Sequence, residues 1–143
     1  MTPHFSLEEL TFSSTAIRLE IDNTPAEAEL KNIQMLAEGL EQIRTKLDSN
    51  AINISSGYRC LKLNRALRSG DTSYHLRGLA ADFTCPKFGG VDEVMRAIAD
   101  SSIEFDQLIF EFDSWIHIGF AEAGAKPRRQ MFTIDKKGVR AYL

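Results

Sequence analysis

A chain of 143 residues has the size of one domain, and its 43% hydrophobic and 26% charged residues are the balance of a globular protein that buries its own core. The net charge of −3 provides no field to gather polyanions, which excludes nucleic acid as a partner, and no stretch reaches the length of a transmembrane helix, which excludes membrane insertion. Two cysteines, Cys60 and Cys85, do not make a disulfide framework or a CxxC metal site, so no crosslink is required between them.

Along the chain, Ser6-Leu7-Glu8-Glu9 has the form of a capping box and predicts a short helix near residues 7 to 10. Thr24-Pro25-Ala26-Glu27 combines a capping threonine, a proline at the first helical position and an acidic residue in the first turn. Leu30, Ile33, Leu36, Leu40, Ile43 and Leu47 then recur at three- and four-residue steps, predicting one long helix over about 25–48 with a single core-facing side. Residues 51–55 alternate as a strand, and Leu61, Leu63 and Leu67 mark a helical stretch after Ser56-Gly57-Tyr58-Arg59.

Loop composition follows at 68–72, then a short strand at 79–83 and a helix at 91–99. Residues 107–112 and 115–120 read as two strands of a hairpin split by Asp113-Ser114, and 131–134 as an edge strand after a loop. Within that loop the basic run Lys126-Pro127-Arg128-Arg129 reads as a solvated surface segment without a function. With no repeat or linker, these elements predict one α+β domain over 1–143, a small antiparallel sheet packed against helices.

Motifs for phosphate loops, nucleophile elbows, HExxH helices and cysteine clusters are all missing, which leaves His75, Asp82 and His117. Zinc in catalytic sites takes three protein ligands of these types. Asp82 lies in the apolar run Leu79-Ala80-Ala81-Asp82-Phe83, where an unpaired carboxylate costs several kcal/mol, so it needs a cation, a metal or several N–H donors. Arg59 or Arg77 could serve as well as a metal, and His-x₆-Asp spacing alone does not decide between them. His117, between Ile116 and Ile118, shares its strand face with Trp115 and Gly119 and is reachable by a ligand. Tyr74, Trp115 and His4 read as packing or surface residues.

The stretch Ser73-Tyr74-His75-Leu76-Arg77-Gly78-Leu79-Ala80-Ala81-Asp82 resembles the S-x-H-x-x-G-x-A-x-D signature of the zinc D-alanyl-D-alanine carboxypeptidases and murein endopeptidases, which share the Hedgehog/D,D-peptidase fold. Trp115-Ile116-His117 resembles that family's W-x-H element, and Ser56-Gly57-Tyr58-Arg59 its S-G-[YF]-R element. Residues 105–112 are similar to the strand before W-x-H in a phage- and prophage-associated branch, and the likeness runs from about Phe5 to Phe120. It implies Zn²⁺ bound by His75, Asp82 and His117 and hydrolysis of a peptide bond in peptidoglycan stem peptides.

The best-known members carry an acid three positions before the second histidine, where this chain has Ser114. Glu111, six positions before His117 as in the phage-associated branch, is the first candidate for the general base, brought back by a wide turn at 112–114; Asp113 is the second. The resemblance further gives Arg59 as the partner of a substrate carbonyl or carboxylate and of the oxyanion, and Ser73 and Gln107 as substrate-binding candidates. Arg59 could equally pair with Asp82 or Glu111 structurally, and Ser73 could simply brace its loop.

Trimming of a terminal D-alanine and cleavage of an internal bond both remain open. The missing acid at 114 favours an alternative, a non-catalytic zinc module that binds wall peptide or a protein. A metal-free domain with its histidines satisfied in the core is a third reading. The start of the sequence lacks a signal-peptide pattern, so synthesis in the cytoplasm, release to the wall by lysis or virion delivery, and a monomer are expected.

Overall fold

The computed structural model describes residues 1–142. Five α-helices, α1 (Leu7–Thr11), α2 (Ser14–Arg18), α3 (Glu27–Lys46), α4 (Leu61–Ala66) and α5 (Val91–Ala99), accompany six strands. The strands are β1 (Asn53–Ser56), β2 (Ala80–Thr84), β3 (Gln107–Glu111), β4 (Trp115–Gly119), β5 (Gln130–Asp135) and β6 (Gly138–Ala141), in one sheet of order β1-β2-β4-β3-β5-β6. Among the described residues no helix is long and apolar enough to cross a membrane.

The apolar stripe predicted for α3 is its buried face: Ile33, Leu36, Leu40 and Ile43 are fully buried. They share one core with Val94, Met95 and Ile98 of α5 and with Ala81, Phe83, Leu108, Ile116 and Ile118 of the sheet. Because side chains alternate across a strand, placing these residues on the helix side sends Asp82, Ile109, Glu111 and His117 to the other face. One face of the sheet thus makes the core and the opposite face carries Asp82, His117 and Glu111 together.

Several local expectations need correction. The long helix starts at Glu27 with Ala26 as its cap, because Thr24 is occupied elsewhere: its hydroxyl and its N–H both donate to Asp22 Oδ1. Helix α2 was not expected; Ser13 caps it by accepting from Ala16 N–H. The sheet is not wholly antiparallel, since β5 runs parallel to β3. Nor is β5 an edge strand, because β6 covers it, and β6 itself, exposed along its length, has no burial pattern to announce it.

The basic run at 126–129 is no free surface loop either. Arg128 donates from Nε to Asp106 Oδ1 at 3.0 Å and from Nη2 to Asp106 Oδ2 at 2.8 Å and to the Tyr74 hydroxyl at 2.6 Å. Arg129 lies over the Phe105 ring at 4.5 Å and donates to the carbonyls of Ser101 and Ile103. Both arginines pin the return from β4 to β5 against the body of the fold. Cys60 and Cys85 are free thiols.

Candidate metal centre and active site

Three backbone elements bring the cluster together. His75 sits on a single 3₁₀ turn, Tyr74–Arg77, which Ser73 caps by accepting the His75 N–H at 3.2 Å. Gly78 ends that turn in the left-handed region, φ +74°, and so lets the chain reverse directly into β2 and Asp82. Asp82 then faces His117 across the β2–β4 ladder as a register pair. One donor atom from each of His75, Asp82 and His117 lies within 4.8 Å of the others.

Hydrogen bonds on the far sides of the two rings fix which nitrogens face inward. His75 Nδ1 is 2.7 Å from the Gly57 carbonyl, which can only accept, so the proton is on Nδ1 and the Nε2 lone pair points at Asp82 Oδ1, 3.3 Å away. His117 Nε2 lies 3.1 Å from Gln107 Oε1, which leaves Nδ1 facing Asp82 Oδ1 at 2.9 Å. Burial lowers the His75 pKa and disfavours its cationic form.

Burial would raise the Asp82 pKa, while hydrogen bonds and charge from His117 and His75 lower it below the usual carboxylate range in the forms that place a proton on the inward nitrogens. With each ring's proton instead held on its outer nitrogen by Gly57 and Gln107, lone pairs of His75 and His117 face the Asp82 carboxylate in a site where all three side chains are almost wholly buried. A cation between them resolves that repulsion, and the His₂Asp donor set is one zinc accepts.

Arg59 takes the second oxygen of Asp82, with Nη2 3.6 Å from Oδ2, and is itself held by Ser56 Oγ at 3.0 Å and Asn64 Oδ1 at 3.4 Å. Arg77, the other candidate for Asp82, instead pairs with Glu122 at 2.6 Å and lies over the Tyr74 ring. Glu111 stands on the same face one rung along β3, its Oε1 4.0 Å from His117 Nδ1. Strand register carries it there rather than a chain reversal at 112–114. Burial, and then the charge of Asp82, push its pKa up.

Asp113 is exposed in the turn at φ +54°, and the structure does not bring it to the cluster. His4 is remote and pairs with Glu41 at 2.8 Å. Trp115, directly opposite Glu111, has a buried indole Nε1–H without an acceptor. Sequence reasoning missed the Gly57 carbonyl and the fully buried Asn64, whose amide also donates to the Gly70 carbonyl. The Ser56-Gly57-Tyr58-Arg59 element was the available signal for the first; nothing in the sequence marked the second.

Residues 3–119, which span both histidines and the aspartate, match the family model described as Peptidase M15. No curated protein matches the chain.

Proposed function

Because the chain belongs to the peptidase M15 family, we propose that it is a zinc-dependent hydrolase of peptide bonds in the stem peptides of bacterial peptidoglycan. The observation that carries the metal dependence is the inward pair of imidazole lone pairs, His75 Nε2 and His117 Nδ1, converging on Asp82 Oδ1. His75, His117 and Asp82 would hold the ion. Zinc, when bound in such a site, lowers the pKa of a water toward neutrality and polarises a carbonyl.

The remaining work falls to the chain's own residues. Glu111 takes the proton of the attacking water and delivers it to the leaving amine, a role supported by its place beside His117 and by burial that raises its pKa toward the working range. The Trp115 indole, opposite Glu111 across the β3–β4 ladder, favours the charged form of that carboxylate and offsets part of the rise. Arg59 positions Asp82 through one nitrogen, and its positive charge favours the oxyanion that develops on the substrate carbonyl. Gln107 holds the His117 tautomer and flanks the bound peptide, while Ser73 braces the His75 turn and borders the substrate carboxylate.

Mass spectrometry of purified muropeptides incubated with zinc-loaded protein, with an EDTA-treated control, tests this reading. Loss of a terminal D-alanine identifies a carboxypeptidase, and separation of an internal bond an endopeptidase. Intact peptides in the presence of protein that retains zinc would reject the hydrolase and leave a zinc-containing binding module.

A further inference from the structure

The register of the sheet lays out the open face as rungs that cross the strands. One rung runs Asp82, His117, Ile109, Phe132, Ala141 from β2 to β6. The next runs Trp115, Glu111, Ile134, Val139, and on the other side Gly119, Gln107, Gln130. Residues that pair across neighbouring strands project to the same face. The metal cluster and Glu111 therefore share one continuous surface with Phe132, Ile134 and Val139.

Those three side chains are not core. On β5 and β6 it is Met131 and, just beyond, Tyr142 that pack against the buried cluster, whereas Phe132 and Ile134 are partly exposed and Val139 is 66% exposed. The hairpin that carries them lies beyond residue 119, outside the part of the chain that matches the family. An apolar platform thus begins one strand away from the candidate base and ends at the sheet edge.

We infer that this β5–β6 platform is the floor for the peptide segment on one side of the scissile bond, an inference that rests on the peptidase reading above. Continuity selects the occupant: a chain held at His117 and Glu111 that extends across the strands away from β2 passes over β5 and β6. From β4 to β6 is three strand spacings, about 14 Å, or roughly four residues of extended peptide. The platform fits a chain whose side chains are methyl groups and methylene stems, such as alanines and a diamino acid. It fits a glycan poorly, since Gln130 is the one polar side chain that β5 and β6 add to this face, and sugar hydroxyls need several partners.

The test compares zinc-loaded wild type with Phe132→Ser, Ile134→Thr and Val139→Asp on stem peptides of full length, with and without the glycan attached, and on peptides shortened from either end with the scissile bond kept. Val139 is exposed, so Val139→Asp should fold as wild type even if the first two do not; circular dichroism and zinc content monitor all three. We expect shortening from one end to lower wild-type kcat/KM, mostly through KM, and each variant to cut the advantage of the full-length peptide by about tenfold.

An unchanged advantage in the Val139→Asp protein, or equal losses on long and short peptides, would overturn the platform while leaving the peptidase reading intact. Wild type that cuts neither length would overturn the peptidase reading itself. An effect seen only when the glycan is attached would assign the floor to sugar and overturn the peptide assignment.

Discussion

Gln107 Oε1 and Asp82 Oδ1 grip opposite sides of the His117 ring, at 3.1 Å from Nε2 and 2.9 Å from Nδ1. One contact chooses the tautomer and the other aims the lone pair. Replacing Gln107 by Leu removes the acceptor without touching the donor set, and zinc affinity should fall about 10- to 100-fold. Gln107→Glu, which accepts more strongly, should keep or raise it. Competition titration with a chromogenic chelator reads both.

Glu111 and Asp113 can be separated by activity. Glu111→Gln should lower kcat by about 10²- to 10⁴-fold with zinc content unchanged, the usual contribution of a general base. Asp113→Asn, altering an exposed turn residue, should leave kcat within a factor of about three. The opposite ranking in a steady-state assay would move the base to Asp113.

Metal removal should be visible in stability before any substrate is added. With free zinc at 100 times its dissociation constant, mass action contributes about 2.7 kcal/mol to the folded state. EDTA should therefore lower the melting temperature by several degrees, and Asp82→Asn should abolish that sensitivity. A melting curve indifferent to EDTA would show that His75 and His117 are satisfied without an ion.

Acid stability turns on Asp106, which is 4% exposed. Hydrogen bonds from Arg128, and then from Tyr74, hold its carboxyl well below the usual carboxylate range. In the unfolded chain it titrates near about 4. Between those two values the unfolded state binds the extra proton, so the stabilisation is complete above the unfolded pKa and is lost as pH falls through the folded one. Asp106→Asn should cost roughly 1–3 kcal/mol at neutral pH and flatten the loss of stability below pH ~4. Urea denaturation across the acid range compares the two slopes.

The sequence made Asp82 legible as a group in need of a partner, since a carboxylate in an apolar strand demands one, while only the family resemblance singled out a metal; it made α3 legible because a half-buried long helix repeats its apolar residues. Backbone contributions stayed hidden: the Gly57 carbonyl that sets the His75 tautomer has no side chain to read. Thr24 was misread because a capping threonine and an Asx-type turn, here made with Asp22, use the same residue types. Arg128 looked like solvated charge since its partners, Asp106 and Tyr74, are 22 and 54 residues away. Glu111 does lie beside His117, though the hairpin register does what a folded-back turn was expected to do.

The order in which those contacts close follows from chain separation. Gln107 and His117 are ten residues apart across a hairpin, which can zip locally in microseconds. Asp82 and His117 are thirty-five apart, and β5 reaches its parallel place beside β3 only after β4 has been laid down between them in sequence. Non-local pairings of this kind are slow because their loops must close first. By that rule the oriented imidazole precedes the carboxylate, so in refolding the capture of an ion would act as a clock that starts with the β2–β4 pairing.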